Sequence, residues 1–314
     1  MRILLTGTSG QLGHALLQTL DSIGTVIVPE RRTMDLSQPE QLRQVIRTIQ
    51  PDLIVNPAAY TAVDKAESEP ELAHTINATA PAVMAEEAKK LGAALIHYST
   101  DYVFDGSKCD AAGNLLPYAE QDPTAPINVY GQTKLAGEQA IRQSGCRHLI
   151  FRTSWVYSLF GKNFLLTMLR LAKEREELNI VNDQWGAPTS AGWLAEASAS
   201  IIAQIIHAAD QDQWWEQHQG LYHMTPQGKT SWCGFTQEIM AQAGKLALFS
   251  KTAPVVTGIP ASQYPTPARR PVNSCLDTHL LAQHFGLAIP TWQAVLENCL
   301  QRQPQNNHHS GKYN

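Results

Sequence analysis

The sequence has 314 residues, of which 24 are basic and 28 acidic, so its formal net charge at pH 7 is −4. This mild acidity argues against a nucleic-acid-binding protein, which usually carries a clustered basic surface. No apolar run approaches the length of about 18 residues that a membrane span requires, and the short run at residues 3–5 is too brief for a secretory signal. We therefore expect a cytoplasmic protein with no nucleic-acid and no membrane partner.

The five cysteines are odd in number, widely spaced and without a C-x-x-C pair. A disulfide framework or a zinc site needs closer groupings, so we expect free thiols and no metal site built on cysteine.

The N-terminal half alternates short apolar runs with amphipathic stretches. The pattern predicts strands over residues 3–5, 25–28, 52–55, 94–98 and 149–152, and helices over 11–21, 39–49, 71–91 and 129–143. Short strands that alternate with helices are typical of a parallel sheet covered on both faces. We predict an α/β fold, namely a Rossmann-type doubly wound parallel sheet with a smaller mixed α/β substrate-binding domain.

The regular alternation fades after residue 152. Residues 163–173 and 191–208 predict helices, whereas 185–188 and the proline-rich 254–271 predict loops. We place an NAD(P)-binding domain at residues 1–155, with some later segments returning to it, and a mainly substrate-binding domain at 156–302. The polar residues 303–314 predict a disordered tail.

Three glycines at positions 7, 10 and 13 follow the first predicted strand and open the first helix. In a dinucleotide-binding loop the first glycine permits a tight turn and the second a close approach to the pyrophosphate. The third brings the helix close to the sheet, and the helix N-terminus stabilises the phosphate charge. The sequence therefore predicts a nicotinamide cofactor bound by Gly7, Gly10 and Gly13.

The end of the second strand bears on the choice between NADH and NADPH. An acidic residue there would bind the ribose hydroxyl of NAD, whereas an arginine would accept the 2′-phosphate of NADP. The chain offers Glu30, Arg31 and Arg32 in succession, followed by Asp35. NADPH is favoured by the arginines, and NADH stays possible.

Tyr130 and Lys134 lie four residues apart at the start of a predicted helix and therefore on one face. A tyrosine can protonate a carbonyl oxygen as hydride arrives, and a nearby ammonium lowers its pKa. Ser99 and Thr100 end the fourth strand, at the sheet edge where ligands bind. A hydroxyl there can donate to a substrate oxygen. The combination predicts a reductase.

Longer blocks extend this pattern over nearly the whole chain. They are GTSGQLG at residues 7–13, NPAAYTAVDKAE at 56–67, STDYVFDG at 99–106, RTSWVY at 152–157, GAPT at 186–189 and PARRP at 267–271. With these blocks the sequence resembles the extended short-chain dehydrogenase/reductase family and, within it, the dTDP-4-dehydrorhamnose reductases. The resemblance implies that the second domain binds a sugar nucleotide.

The resemblance also implies an activity. NADPH would deliver hydride to C4 of dTDP-4-dehydro-β-L-rhamnose and so give dTDP-L-rhamnose. Tyr130 would supply the proton, Thr100 would bind the C4 oxygen, and Lys134 would tune Tyr130, so these three residues form the implied catalytic triad.

Further site residues are carried over by position. Those that would bind the cofactor are Gly7, Gly10, Gln11, Leu12, Gly13, Arg31, Asp35, Leu36, Ala58, Ala59, Tyr60, Thr61 and Tyr98, together with Tyr130 and Lys134. Those that would lie near the sugar or its approach are Val63, Thr100, Asp101, Tyr102 and Trp155.

Residue 102 separates the chain from related dehydratases, which carry an acidic pair after the threonine. Here Asp101 is followed by Tyr102, which favours reduction over elimination. Two alternatives stay open: a reductase that makes the C4 epimer dTDP-6-deoxy-L-talose, and a non-catalytic regulatory subunit. Arg269 and Arg270 could meet the substrate diphosphate or could form structural ion pairs.

Some members of the family dimerise around a magnesium ion held by glutamates. The matching positions here are Ala15, Gly192 and Gln293, none of which is a carboxylate. Glu196, one turn after Gly192, is a possible substitute. We predict no metal site, and a monomer or a homodimer without a magnesium bridge.

Overall fold

The computed structural model describes residues 1–249 and 252–302, and the predicted disordered tail lies outside the described residues. The strands are β1 (Arg2–Leu5), β2 (Thr25–Ile27), β3 (Leu53–Asn56), β4 (Ala94–Thr100), β5 (Arg147–Thr153), β6 (Val156–Tyr157), β7 (Glu177–Val181), β8 (Trp185–Gly186), β9 (Thr189–Ser190), β10 (Gly220–His223), β11 (Thr230–Ser231), β12 (Val255–Ile259) and β13 (Asn273–Ser274).

The helices are α1 (Gln11–Leu20), α2 (Pro39–Ile49), α3 (Val63–Ala66), α4 (Pro70–His74), α5 (Ala80–Leu91), α6 (Val129–Ser144), α7 (Phe164–Glu174), α8 (Ala191–His207), α9 (Gln211–His218), α10 (Trp232–Lys245), α11 (His279–Phe285) and α12 (Trp292–Gln301). Short 3-10 turns add residues 101–103 and 261–263.

A parallel sheet with the strand order β10-β5-β4-β3-β1-β2 forms the centre of the fold. Successive side chains of a strand point to opposite faces of the sheet, and in the inner strands β3 and β4 both sets are buried. In β1, for example, Ile3 and Leu5 join the cluster under α1, α8, α9 and α11, whereas Leu4 joins the cluster under α2, α5 and α6. The predicted doubly wound Rossmann-type sheet is confirmed.

The strand order places β1 between β3 and β2, so the connections from β1 and β3 leave the sheet on opposite faces. Such a switch point leaves a crevice at the carboxyl ends of the strands, where ligands bind in open α/β sheets. The glycine loop after β1 and the Ala58–Ala59 segment after β3 meet at this crevice.

A second core lies between α7, α10 and α12, with Tyr157 and Leu178 buried among them. Here the two stretches that were expected to be rich in loops each contain a short strand. The proline-rich stretch contains β12, which pairs in parallel with β7, and Trp185 and Gly186 form the short strand β8 between β11 and β13. Prolines flank β12 without entering it, so the composition hid a five-residue strand.

Segments from beyond residue 155 also complete the first sheet. Strand β10 pairs with β5, and α8 packs its apolar face over α1. The division of the chain at residue 155 stays a prediction, since both of these elements come from the second half.

The predicted helix over residues 71–91 is divided into α4 and α5 by a π-helical turn at Thr75–Thr79. Pro81 lies in the first turn of α5, has no N–H to donate, and favours such a widened turn. The turn carries Asn77, which binds the backbone N–H and carbonyl of Tyr60 at 2.8 and 3.1 Å. It therefore fixes the segment that follows β3.

Glu87 in α5 offers a test of what holds α2 to α5. Its carboxylate is 1% exposed and accepts hydrogen bonds from Arg43, Arg47 and Lys90. These bonds, with that from Arg47 the strongest, lower the pKa of Glu87 to about 2.

We expect Glu87→Gln to lower the free energy of unfolding at pH 7 by about 2 kcal/mol, because three cations lose their shared acceptor. The difference should shrink as the pH falls from about 4.5 to 2, where the native carboxylate becomes protonated in any case. Urea unfolding across this range measures it. Glu86→Gln, at a half-exposed neighbour that pairs with Arg43 alone, is the control.

Candidate active site

The glycine loop admits no side chain at two of its three positions. Gly7 has φ +62°, and a Cβ there would lie 2.9 Å from the backbone of Ala58. A Cβ on Gly13 would lie 2.1 Å from the Gly7 carbonyl oxygen, so α1 could not approach β1. No side chain caps the N-terminus of α1, which leaves its partial positive charge facing the crevice.

A cavity of about 720 Å³ opens over this loop. Nearly all the residues predicted to bind the cofactor line it: Gly7, Gly10, Gln11, Leu12, Gly13, Arg31, Asp35, Leu36, Ala58, Ala59, Thr61, Tyr98, Tyr130 and Lys134. Tyr60 does not, because its hydroxyl donates to Glu69 at 2.6 Å. Sequence reasoning missed Lys162, which lines the cavity from the second half of the chain.

The loop preceding Lys162 lies directly on α1. The Phe160 ring stacks on His14 with centroids 3.9 Å apart, and the Ser158 hydroxyl donates to Gln11 at 3.0 Å. No sequence motif marks this contact, because it joins residues about 145 positions apart.

The acidic and basic residues after β2 have different partners. Glu30 is paired with Arg32, and the Asp35 carboxylate accepts bonds from the N–H and hydroxyl of Ser37. Those two bonds lower the pKa of Asp35. Arg31 lines the cavity and forms no ion pair within the described residues. A dinucleotide fits this site. The glycine loop has no side chains in the way, the N-terminus of α1 is uncapped, and Arg31 can face a phosphate.

Helix α6 brings Tyr130 and Lys134 to the other side of the cavity. The Asn128 side chain caps the helix by accepting from the N–H of Gly131 at 2.8 Å. A Cβ on Gly131 would lie 2.2 Å from the carbonyl oxygen of Tyr102, so this glycine lets the helix approach the end of β4. Tyr130 and Lys134 consequently project from the first two turns towards β4.

Burial is the main cause of the pKa shifts of Tyr130 and Lys134. Burial raises the pKa of the Tyr130 hydroxyl, and a hydrogen bond with Thr100 lowers it in part. Lys134 is 1% exposed, and burial lowers its pKa to about 8 while Glu138 raises it. The structure thus brings together the three residues of the predicted triad.

Asp101 is 2% exposed, and its Oδ2 has no hydrogen-bond partner within the described residues. The Thr100 hydroxyl donates to its Oδ1 at 3.0 Å, and Thr100 also accepts from the N–H of Tyr102 at 3.2 Å. Burial raises the pKa of Asp101 to about 6, against opposing hydrogen bonds from Ser274 and Thr100.

The residues predicted to lie near the sugar are not part of the cavity lining; they are Val63, Thr100, Asp101, Tyr102 and Trp155. Val63 opens α3, and the Tyr102 ring meets the edge of Tyr130 at a centroid distance of 5.7 Å. Trp155 has φ +47° and stacks on Trp232 at 3.6 Å, close to Gly186. A glycine is required at position 186, since a Cβ there would lie 2.7 Å from the indole of Trp155.

The two arginines of the PARRP block differ. Arg270 binds both carboxylate oxygens of Asp64 at 3.0 and 2.8 Å, which lowers the pKa of Asp64. The ion-pair alternative therefore applies to Arg270. Arg269 is exposed, and its backbone oxygen accepts from Asn128.

Several known proteins are similar to this chain over nearly its whole length. The family model described as RmlD substrate binding domain matches residues 1–304. The dTDP-4-dehydrorhamnose reductase of Escherichia coli K12 is 46% identical over 96% of this chain and 97% of its own length, and that of Burkholderia thailandensis is 45% identical over 96% and 98%. The chain belongs to the dTDP-4-dehydrorhamnose reductase family.

Solved structures also have the same fold as this chain. The dTDP-4-dehydrorhamnose reductase of Bacillus anthracis, crystallised in complex with NADP, superimposes with a TM-score of 0.83 at 34% identity, covering 96% of this chain and 98% of that one. A UDP-glucose 4-epimerase of Thermus thermophilus, at 18% identity and a TM-score of 0.75, shares the fold. Like the other family members, the chain is an oxidoreductase of the extended short-chain type.

Within residues 1–249 and 252–302, no three His, Cys, Asp or Glu side chains are grouped to hold a metal ion. Glu196, the possible substitute ligand, is paired with Arg302 at 2.6 Å. The lack of a magnesium bridge in this family member stays a prediction. Across the same described residues, no helix has both the length and the apolar character to cross a bilayer.

The raised pKa of Asp101 makes stability depend on pH. Between about pH 4 and pH 6 the native carboxyl keeps a proton that the unfolded chain has lost, so stability falls as the pH rises. A pKa of about 6 against the ordinary 3.8 corresponds to about 3 kcal/mol.

We expect Asp101→Asn to flatten this decline, since an amide does not titrate. Urea unfolding of both proteins between pH 4 and pH 7 measures the slope. Asp105→Asn is the control, because bonds from Ser107 lower the pKa of Asp105 instead. An unchanged slope in Asp101→Asn would show that this carboxyl does not titrate in the window.

Proposed function

We propose that the protein reduces the C4 ketone of dTDP-4-dehydro-β-L-rhamnose to dTDP-L-rhamnose with NADPH. The observation that carries this proposal is that Tyr130 and Lys134 line a cavity floored by the glycine loop, while Thr100 is hydrogen-bonded to Tyr130. The similarity to dTDP-4-dehydrorhamnose reductases over 96% of the chain supports the choice of substrate.

The cofactor would be held by the N-terminus of α1, by the backbone around Ala58 and by Arg31. The NADP complex of the Bacillus anthracis relative supports the phosphorylated cofactor. When bound, the reduced nicotinamide supplies the hydride that C4 accepts.

The proton that the substrate oxygen receives comes from a side chain of the protein. Tyr130 donates its hydroxyl proton to the oxygen of C4, so that the ketone becomes a secondary alcohol and Tyr130 is left as the phenolate. Burial disfavours that phenolate, and the ammonium of Lys134 offsets this because it lies on the same face of α6. Thr100 orients the substrate oxygen, with Asp101, Tyr102, Val63 and Trp155 nearer the sugar.

The first experiment incubates the purified protein with dTDP-4-dehydrorhamnose and NADPH and determines the C4 configuration of the product by NMR. We expect NADPH oxidation and the rhamno configuration. The talo configuration would assign the protein to epimeric reductases, and no turnover would favour a regulatory subunit.

Tyr130→Phe tests the proton donor. We expect kcat to fall by about 10²–10⁴-fold, because the general acid is lost. Binding of NADPH, followed by the quenching of protein fluorescence, should persist. Tyr264→Phe, at a tyrosine that is 64% exposed, is the matched control. Full turnover by Tyr130→Phe would contradict the assignment.

Arg31→Ala tests the choice of cofactor. The loss of a charged donor to the 2′-phosphate should raise the KM for NADPH by about tenfold and leave that for NADH unchanged. Arg32→Ala is the matched control, since Arg32 is paired with Glu30 and does not line the cavity. Equal effects on both cofactors would argue against a phosphate contact.

Two further proposals concern the cellular location and the oligomeric state of the protein. A cytoplasmic location is supported by the five cysteines, all of which are free thiols. A monomer, or a homodimer without a magnesium bridge, is supported by the pairing of Glu196 with Arg302.

A further inference from the structure

Three neighbouring strands of the sheet contribute buried polar side chains that form a chain of hydrogen bonds ending on Lys134. Thr6, directly after β1, donates from Oγ1 to Oδ1 of Asn56 at 2.6 Å. The Asn56 amide nitrogen lies 3.0 Å from Nδ1 of His97, and Nε2 of His97 lies 3.0 Å from Nζ of Lys134. All four residues are at most 5% exposed, so they satisfy one another rather than water.

The hydrogens of Lys134 can be assigned from these contacts. Nζ donates to the carbonyl oxygen of Tyr98 at 2.7 Å, and that oxygen can only accept. A second contact is made with His97. An ammonium has three hydrogens, so one is left for the cavity that Lys134 lines.

The His97 ring is neutral, because burial and the neighbouring Lys134 lower its pKa well below the ordinary value. A neutral ring has one N–H and one accepting nitrogen. An ammonium cannot accept, so a charged Lys134 requires Nε2 to be the acceptor and Nδ1 to carry the hydrogen. Asn56 must then present its oxygen to Nδ1 and its amide nitrogen to the Thr6 hydroxyl, which is the arrangement described above with the oxygen and nitrogen of the amide exchanged.

The opposite orientation of Asn56 has the opposite consequence. With the amide nitrogen facing Nδ1, that nitrogen accepts and Nε2 carries the hydrogen towards Lys134. Only a neutral amine can accept it. The orientation of the Asn56 amide therefore determines whether the ring supports the charged form of Lys134.

We propose that His97 is a positioning residue for Lys134, in which the ring is tethered by Asn56, accepts one Nζ hydrogen and directs another into the cofactor cavity. This inference rests on the proposed role of Lys134 in the reduction. No proton passes along the chain, and its effect is to hold the ammonium in place and in its charged form.

Other charged and titratable groups face Lys134 from two sides. On α6, Tyr130 lies one turn before it and Glu138 one turn after it. Glu138 is held by Arg152 of β5 through bonds of 2.9 and 2.7 Å, and it also accepts from Ser99 of β4. These contacts are independent of His97, so a change at His97 leaves them in place.

The test measures the titration of Lys134 in the protein without cofactor or substrate. Acetic anhydride is applied across a pH series, and acetylation of Lys134 is quantified by peptide mass spectrometry. The wild-type pKa should be about 8. In His97→Leu, which removes the acceptor, the pKa should fall by about one pH unit or more. In His97→Gln, whose side-chain oxygen can accept, it should stay close to the wild-type value.

The kinetic consequence has its own signature. Because Lys134 loses its charge at lower pH in His97→Leu, the alkaline limb of the kcat profile should move to lower pH, and the KM for the sugar nucleotide should stay unchanged. His223→Leu is the matched control, since His223 is equally buried but contacts Asp277 and not Lys134.

Asn56→Ala keeps the test decisive if His97→Leu does not fold. That variant removes the tether from Nδ1, and the pKa of Lys134 should fall by a smaller amount. An unchanged Lys134 pKa in either variant, or an equal shift in His223→Leu, would overturn the proposal. A wild-type protein that titrates as expected but does not reduce the ketone would refute the proposed function alone.

Discussion

The removal of a lysine ammonium from water governs the geometry of the cavity. At 1% exposure Lys134 needs fixed hydrogen-bond partners to replace its hydration, and those partners lie on β4 rather than on its own helix. Helix α6 must therefore lie close to β4. Gly131 permits this, since a Cβ there would lie 2.2 Å from the carbonyl oxygen of Tyr102, just after β4. Gly137 permits an equally close approach of α6 to the π-helical turn, since its Cβ would lie 2.2 Å from the carbonyl oxygen of Asn77.

This close approach links the two walls of the cavity. Asn77 belongs to the π-helical turn, and it holds both the Tyr60 backbone and the Thr133 hydroxyl, the latter at 3.1 Å. The segment after β3 and the first turn of α6 are thus fixed to the same side chain. A cofactor bound between them would meet two surfaces whose separation is already set, which reduces the ordering cost of binding.

Much of the first half of the fold could be predicted from the sequence, because its strands are short apolar runs and its helices have clear periodicity. Helix α2 begins and ends at the predicted residues. The residues that line the cavity near the glycines could also be predicted, since they follow strands whose carboxyl ends meet at one edge. The triad depended on the resemblance as well as on spacing.

What escaped prediction depends on contacts between distant residues. His97 sits inside an apolar-looking strand, and nothing in its neighbours marks it as a partner of Lys134. Lys162 lines the cavity from a loop in which Phe160 stacks on His14. Strand β12 was hidden by flanking prolines. A local pattern records which residues are buried, but it does not record which buried polar groups bind each other.

Strand β10 and helix α8 come from the second half of the chain, and this limits how the chain can be divided. Without β10 the hydrogen-bonding edge of β5 would be open, and without α8 the apolar side of α1 would face solvent. Exposed edges and apolar faces of this kind promote association between chains. Residues 1–155 alone would therefore have an incomplete sheet, and during synthesis that sheet stays unfinished until residue 223 has emerged.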